Sequence, residues 1–312
     1  MPGFLSHYIA GKAALQGVSP QIQQIIRAEE RLYNLGTQGP DIFFYYLPGQ
    51  LRKRSRGIAQ QMHQNGLGVF LGFMAKVAKD AADCDKDTIF SYIAGFLMHY
   101  ALDCNAHPYV YARAFNKNAP KIKNSADHRK FETAIDVALL NLVEGKKLTG
   151  ISQWELINAE KNRLTIAAAA LSRGISEVYG RDVPPKIVCR AMQHMITLTR
   201  LLQSKNGRRK RFMELLENFT VREPIYSSMV PMESMAEADC LNPQKAEWTP
   251  PWDENDPHNE SFMECYQTAV DEGIKMMETM YNYIYGNEDF YALVEILGNR
   301  SLKTGRTCGE TA

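Results

Sequence analysis

The chain has 312 residues, 45% of them hydrophobic, and its 36 basic residues nearly balance its 35 acidic ones, for a net charge of +1. This length and apolar content are sufficient for a large hydrophobic core in one or two domains. The balanced charge excludes a general attraction to nucleic acid or to anionic membranes, so the sequence carries no strong nucleic-acid signal.

The amino-terminal sequence and the cysteines predict a cytoplasmic protein. Residues 1–12 (MPGFLSHYIAGK) lack both a basic start and a long apolar run, so we predict no signal peptide. No stretch approaches the roughly 18 uncharged apolar residues that a transmembrane helix needs. The six cysteines form no CxxC pair and are typical of reduced thiols in the cytosol.

The first half of the chain predicts helices that are interrupted by one irregular stretch. Ser19 and Pro20 are typical of a helix start, and we expect this helix to end at Gly36. Residues 36–49 are rich in glycine and proline and are incompatible with a single helix. Further helices are expected at 51–80, 86–105 and 125–145, with a break near Asn65 in the first and a loop over 109–124 before the last.

The second half predicts more helices and one long irregular segment. Ser152 and Glu155 have the spacing of a capping box, which predicts a helix from there to Tyr179. Residues 222–258 hold six of the 14 prolines and two of the three tryptophans, so we expect an irregular excursion that packs as a lid. Further helices are expected at 185–204, before Phe219, at 259–285 and at 287–297.

These elements together predict an all-α fold. No segment has convincing strand alternation, and no internal repeat is apparent. We expect one multi-helix domain over residues 1–298, because no linker separates the histidines into two halves. Residues 299–312 are expected to form a flexible tail.

The segment His99–Pro108 (HYALDCNAHP) carries the clearest functional pattern. His99, Asp103 and His107 are spaced four residues apart, which places their side chains on one face of a helix. We expect the helix to end at Pro108, because the residue before proline is disfavoured in the α region. A divalent metal would satisfy two buried imidazoles and a carboxylate together. The alternative is three unrelated solvated residues at a helix end.

Other residues of the first half extend this pattern. His128 and Glu132 are also four residues apart, a common spacing for two ligands of one metal. Asp41 precedes four aromatic residues, which could wall a cleft or pack in the core. The pooled nitrogen and oxygen ligands exceed one tetrahedral site and suit two or three ions. They are His7, Asp41, His63, His99, Asp103, His107, His128 and Glu132.

The order of the candidate ligands along the chain resembles that of the zinc-dependent phospholipase C family. This family shares its fold and trinuclear zinc site with the S1/P1-type nucleases. The resemblance covers about residues 1–145. Within the family, the chain resembles the intracellular bacterial members, because its spacing from Asp103 to His107 is two residues shorter than in the secreted members. The motifs that carry it are His7, GPD with Asp41, His63, H-x3-D at His99 and Asp103, His107, and H-x3-E at His128 and Glu132.

The resemblance implies a single helical domain of the phospholipase C/P1 nuclease type with two to three zinc ions. It also implies three ligand sets. These are Asp41, His63, His99 and Asp103 for one zinc; His107, His128 and Glu132 for a second; and His7 for a third, with Asp103 as the bridge to the first.

The activity that the resemblance implies is hydrolysis of a phosphodiester, with a phospholipid as the favoured substrate. Zinc lowers the pKa of a bound water to about 7, which supplies hydroxide at neutral pH. Asp41 would act as a general base or water-orienting residue as well as a ligand. Two alternatives stay open: an S1/P1-type nuclease, and a catalytically inactive metal-stabilised protein that binds a lipid or a partner. The oligomeric state is not indicated by the sequence.

Overall fold

The protein is built from α-helices. The computed structural model describes residues 3–46, 49–115, 121–203, 232–235 and 238–309, with the backbone alone described at 49–54, 121–125 and 238. In the described residues, β structure is limited to two isolated antiparallel bridges, Trp248 with His258 and Arg300 with Thr307. The predicted all-α fold is thereby confirmed.

The helices follow one another in this order: α1 (Phe4–Gly17), α2 (Pro20–Ala28), α3 (Glu30–Gly36), α4 (Gly49–Gln64), α5 (Leu67–Lys79), α6 (Asp83–Ala114), α7 (Lys121–Glu144), α8 (Gln153–Ile157), α9 (Lys161–Tyr179), α10 (Pro185–Leu202), α11 (Phe262–Tyr285) and α12 (Phe290–Leu297). Short 3₁₀ helices lie at Gly39–Tyr45, Leu148–Gly150, Glu233–Met235 and Ala238–Leu241.

The fold is organised around α6. Its side chains are buried almost without interruption from Thr88 to Val110, and it packs against α1, α3, α5, α7, α9 and α11. A helix that is apolar on all sides belongs in a core. Glycines let α3 approach it closely, since a Cβ on Gly95 would lie 2.1 Å from the carbonyl oxygen of Tyr33. This close crossing brings the residues that follow α3 against the middle of α6.

The predicted end of α6 at Pro108 is wrong. The helix continues through the proline to Ala114, so residues 109–114 are helical and do not form a loop. Proline lacks the N–H that would bond the carbonyl of Cys104 in an unbroken helix. Gly305 lies against this carbonyl, since a Cβ there would be 2.3 Å from the Cys104 oxygen. Burial of the turns on both sides of the proline holds the helix together.

Other predicted boundaries differ from the structure. The helix predicted from Pro20 to Gly36 is interrupted at Glu29. The break predicted near Asn65 in the 51–80 helix, in contrast, is confirmed at Asn65 and Gly66, where Gly66 has a φ of 76°. Ser152 makes no side-chain cap, and its Oγ instead lies 3.4 Å from Gln203, so a short α8 precedes α9. The helix predicted before Phe219 and the excursion residues 222–231 lie outside the described residues.

The described part of the predicted excursion, up to residue 258, is irregular and packs against α6. Trp248 and His258 exchange two backbone hydrogen bonds of 2.8 Å, which close a loop. The indole N–H of Trp248 donates to the carbonyl of Glu260, and its ring lies edge-on to Tyr109 of α6, with the centroids 5.5 Å apart. Trp252 is similarly edge-on to Tyr111, so both tryptophans contact the last turns of α6.

Residues 298–309, which we call the clasp, also pack against α6. The predicted flexible tail is wrong for this segment. Leu302 is fully buried in the main core, and the bridge between Arg300 and Thr307 closes the turn. The backbone N–H of Arg300 donates to the hydroxyl of Tyr100 at 2.8 Å. Burial of Leu302 and these hydrogen bonds help to offset the conformational entropy that is lost when this polar segment becomes ordered.

Candidate metal centre

The fold brings all eight predicted ligands to one region. They come from α1, α4, α6, α7 and the 3₁₀ helix Gly39–Tyr45, and all are buried except the half-buried His128. Within the described residues, three groups have ligand atoms that all lie within 4.8 Å of one another. The groups are His7, His99 and Asp103; Asp41, His63 and His99; and His107, His128 and Glu132.

Asp103 lies at the centre of this region. Its Oδ1 is 3.3 Å from Nε2 of His7. Its Oδ2 is 3.1 Å from Nε2 of His99 and 3.9 Å from Nε2 of His63. The two oxygens therefore face different imidazoles, which is the arrangement that a bridging carboxylate needs.

The 3₁₀ helix Gly39–Tyr45 places Asp41 beside the histidines of α4 and α6. Oδ1 of Asp41 is 3.2 Å from Nε2 of His63. Gly39 has a φ of 50°, and a Cβ on it would lie 2.4 Å from the ring of His99. The glycine of the GPD motif thus allows both the left-handed backbone and the close approach that bring Asp41 to the centre.

The last group joins α6 to α7. Nε2 of His128 is 2.7 Å from Oε1 of Glu132 on the next turn of α7, and Nε2 of His107 is 3.8 Å from the same oxygen. The ring of Tyr111 lies one turn after His107 and contacts both histidines, with centroid distances of 4.6 Å to His128 and 5.7 Å to His107.

Backbone carbonyls orient three of the histidines. With the proton assigned to Nδ1, each ring donates to a carbonyl, and Nε2 is then the unprotonated nitrogen, the form that binds a metal. The pairs are His63 with Ala59 (2.7 Å), His99 with Thr37 (3.1 Å) and His107 with Leu302.

Many buried polar atoms at this centre have no hydrogen-bond partner in the described part of the chain. They are Nδ1 and Nε2 of His7, Oδ1 of Asp41, Nε2 of His99, both Oδ atoms of Asp103 and Nε2 of His107. Buried polar groups are normally satisfied, and an unpaired one costs about 1–3 kcal/mol. Divalent cations would satisfy these lone pairs and balance the carboxylate charge, so the residues present fit a metal centre.

Comparison with known families gives an independent result. The family described as zinc dependent phospholipase C matches residues 3–180, which is more than half of the chain and includes all eight candidate ligands. The chain belongs to the zinc-dependent phospholipase C family. Neither the curated proteins nor the solved structures gave a match.

The zinc-dependent phospholipase C region ends just after α9, so α10 to α12 and the clasp lie beyond it. The resemblance based on the order of the ligands is confirmed by this match. No helix among the described residues is both long enough and apolar enough to cross a membrane.

The protonation states in this zinc-dependent phospholipase C centre suit metal binding. Burial opposes ionisation of Asp103, but His107 and His99 hold the pKa of this carboxyl well below its usual range. Burial likewise opposes ionisation of Glu132, whose pKa is lowered by His128. Burial lowers the pKa of His107 to about 4 and also lowers that of His128. Ionised carboxylates and neutral imidazoles are the forms that bind zinc.

The structure adds Asp136, which was not predicted from the sequence, to the surroundings of the centre. Its carboxylate accepts hydrogen bonds from the backbone N–H groups of Leu5 (3.0 Å) and Ser6 (2.8 Å) and from the hydroxyl of Ser6 (2.6 Å). It therefore caps the start of α1 and fixes the helix that carries His7. Its position one turn after Glu132 was the available signal, because it continues the same face of α7.

Asp136→Ala should destabilise the protein by about 2 kcal/mol, since it leaves the start of α1 and the Ser6 hydroxyl unpaired. Burial raises the pKa of Asp136 to about 7, above its ordinary value of 3.8. The folded protein thus keeps a proton on Asp136 at pH values at which the unfolded chain has lost it. The contribution of Asp136 to the free energy of unfolding is therefore fully present below pH 4 and is lost as the pH rises through 7. Thermal unfolding of zinc-free protein should show a larger effect of the substitution at pH 5 than at pH 8.

The control is Asp83→Ala, because Asp83 also lies in the first turn of a helix, α6, but its side chain is fully exposed. Exposed substitutions usually change stability by less than about 0.5 kcal/mol. Equal losses in the two variants would contradict the capping role of Asp136.

Proposed function

We propose that this protein is a zinc-dependent phosphodiesterase that acts on a phospholipid or a related phosphodiester. The observation that carries the proposal is the convergence of eight ligand side chains in three adjoining groups, together with the unpaired buried atoms of His7, Asp41, His99, Asp103 and His107. None of these groups of described residues includes a cysteine. Structural zinc sites are usually closed by four ligands that often include cysteine, whereas catalytic sites have nitrogen and oxygen ligands and an open position.

The ligand sets implied by the resemblance are supported by the geometry. The group of Asp41, His63 and His99 has Oδ2 of Asp103 beside it and suits the first zinc. The contact from Oδ1 of Asp103 to His7 suits the third zinc and makes Asp103 the bridge. The group of His107, His128 and Glu132 suits the second zinc and has three ligands among the described residues, which leaves room for water and substrate.

The residues around the centre have complementary roles in this reaction. Bound zinc would lower the pKa of a water ligand and polarise the phosphoester oxygens. Asp41 would orient that water and accept its proton, since it belongs to the first group and its side chain keeps 11% of its surface exposed. Burial, with Glu132 and Asp103 nearby, raises the pKa of Tyr111 to about 12, so its hydroxyl stays a hydrogen-bond donor for a phosphoryl oxygen.

Aromatic side chains beside the centre favour an apolar substrate. Of the four aromatic residues after Asp41, Phe43 and Tyr46 are fully buried and belong to the core. Phe44 and Tyr45 are partly exposed, and the Phe44 ring lies 5.6 Å from that of His63. Such rings suit lipid, and the balanced net charge gives no support to a nuclease, whose affinity for nucleic acid depends on basic residues.

Zinc-loaded protein should hydrolyse a phospholipid in detergent micelles, and a chelator should reduce the rate to background until zinc is restored. Phosphate-containing product is measured with phosphatidylcholine, phosphatidylinositol and single-stranded RNA and DNA side by side. His194→Ala is the matched control, because His194 contacts Tyr46 and belongs to none of the ligand groups. Hydrolysis of nucleic acid alone would favour the S1/P1-type alternative, and no hydrolysis by fully zinc-loaded protein would favour the inactive binding protein.

A further inference from the structure

We propose that the clasp, residues 298–309, is a positioning element of the metal centre, and that it sets the zinc affinity of the group formed by His107, His128 and Glu132. The clasp lies beyond the residues that match the family, 3–180. The inference rests on the proposed function only in requiring that this group binds zinc.

The direct contact is made by Leu302. Its carbonyl oxygen accepts a hydrogen bond from Nδ1 of His107, and the leucine side chain is fully buried, so water cannot take its place. This bond leaves Nε2 of His107 as the nitrogen that faces Glu132. The carbonyls of Ala59 and Thr37, which orient two other histidines, lie inside the matched region, whereas Leu302 is 195 residues from His107 in sequence.

The clasp docks on α6 at the turn that contains the proline. Pro108 leaves the carbonyl of Cys104 without its helical hydrogen bond, and Gly305 packs against that oxygen. The thiol of Cys104 is 3.9 Å from the carbonyl of Ser301, and the hydroxyl of Tyr100 accepts a hydrogen bond from the backbone N–H of Arg300. Tyr100, Cys104 and Pro108 are spaced by four residues, so the clasp follows one face of α6 beside the ligand face.

Other contacts fix the clasp to neighbouring elements of the metal centre. The hydroxyl of Ser301 donates to the carbonyl of His63 at 3.4 Å, at the end of α4. Arg306 forms ion pairs with Asp253 (2.5 Å) and Asp256 (3.2 Å) in the loop closed by Trp248 and His258.

That loop carries Trp252, whose ring contacts Tyr111, and Tyr111 in turn contacts His128. The clasp therefore reaches one histidine of the group by a hydrogen bond and the other through a chain of aromatic contacts. A segment that only packed against the core would not require a hydrogen bond between its backbone carbonyl and the ring of a metal ligand. Removal of such hydrogen-bond partners of metal ligands typically weakens metal binding by about 10–100-fold.

Gly305→Ala tests the proposal in the full chain. Gly305 has a φ of 69°, and the added methyl group would lie 2.3 Å from the Cys104 oxygen, so the clasp must shift. Gly309→Ala is the matched control, because Gly309 also has a positive φ, 104°, but among the described residues no atom lies within 4 Å of an added Cβ. Both variants therefore strain the backbone, and the contact with α6 distinguishes them.

The measurement is zinc bound per chain in competition with graded concentrations of a chelator, together with the visible absorption of the Co²⁺-substituted protein. We expect one ion to bind about 10–100-fold more weakly in Gly305→Ala than in Gly309→Ala, with an altered Co²⁺ spectrum. Leu302→Ala is the second variant, since it keeps the carbonyl but removes the buried side chain that anchors it.

Zinc affinities in Gly305→Ala and Leu302→Ala that both equal the affinity of Gly309→Ala would overturn the proposal. Equal weakening in Gly305→Ala and Gly309→Ala would also overturn it, because backbone strain alone would then explain the loss. A wild-type protein that binds no zinc would overturn the proposed function and this inference together, whereas the comparison of variants bears on the clasp alone.

Discussion

Asp103→Asn should remove more than one zinc ion per chain and reduce phosphodiester hydrolysis by roughly a thousand-fold. The two carboxylate oxygens of Asp103 face different imidazoles, with Oδ1 toward His7 and Oδ2 toward His99 and His63. Asparagine replaces one of these oxygens by an NH₂ group, which cannot bind a metal, and removes the negative charge. A thousand-fold lower rate corresponds to the loss of about 4 kcal/mol, a magnitude expected when metal stabilisation of transition-state charge is lost.

Water cannot replace the missing oxygen in this variant, because Asp103 is fully buried among the histidines. Elemental analysis of the purified variant gives the zinc content, and the phosphodiesterase assay gives the rate. Asp41→Asn is the matched control, since Asp41 faces His63 of the first group through Oδ1 and its substitution should remove at most one ion. A zinc content in Asp103→Asn equal to that of the wild type would show that Asp103 is not a bridge.

The shared face of His99, Asp103 and His107 could be predicted from the sequence because helix geometry fixes it locally. Side chains four residues apart on an α-helix point in similar directions whatever surrounds the helix. The spacing of His128 and Glu132 is predictable for the same reason. His7 and Asp41 lie on other elements, and only the order of the family motifs, not local physics, linked them to this face.

The end of α6 could not be predicted in the same way. A proline disfavours helix at the preceding residue by a local steric effect, but burial on every side of α6 outweighs it here. The capping pattern at Ser152 failed because the Ser152 hydroxyl lies near Gln203 and the chain leaves the helical path after Ile157. At such positions the local structure is determined by tertiary contacts, which cannot be read from a short stretch of sequence.

The contribution of Leu302 left no trace in the sequence. Every residue has a backbone carbonyl, so nothing distinguishes the one that accepts the proton of His107. The clasp also looks like a polar tail in the sequence, and its packing depends on contacts with distant residues, such as Gly305 against the Cys104 carbonyl and Arg300 with Tyr100. Backbone groups that form hydrogen bonds with metal ligands can therefore be identified from a structure but not from the sequence.

Removal of zinc should lower the melting temperature by on the order of 15 °C. The ligands come from five separate elements, so bound zinc cross-links them, and its binding free energy adds to the free energy of unfolding. An ion present at a thousand times its Kd contributes about 4 kcal/mol, so two ions contribute about 8 kcal/mol. For a chain of this size, each kcal/mol shifts the melting temperature by about 2 °C. Calorimetry with and without a chelator, with zinc content measured in both samples, tests this.

The loss of stability should also be localised, because every candidate ligand precedes residue 133 of the chain. Without zinc, the unpaired atoms of His7, Asp103 and their neighbours stay buried, so α1 and α7, which carry candidate ligands, should open more readily than α9 and α10, which carry none. Hydrogen exchange resolved by peptide measures this difference. Asp103→Asn is the control, since a chelator should have a smaller effect on a variant that has already lost zinc. A chelated, zinc-free wild type with an unchanged melting temperature and uniform exchange would contradict a centre that joins several helices.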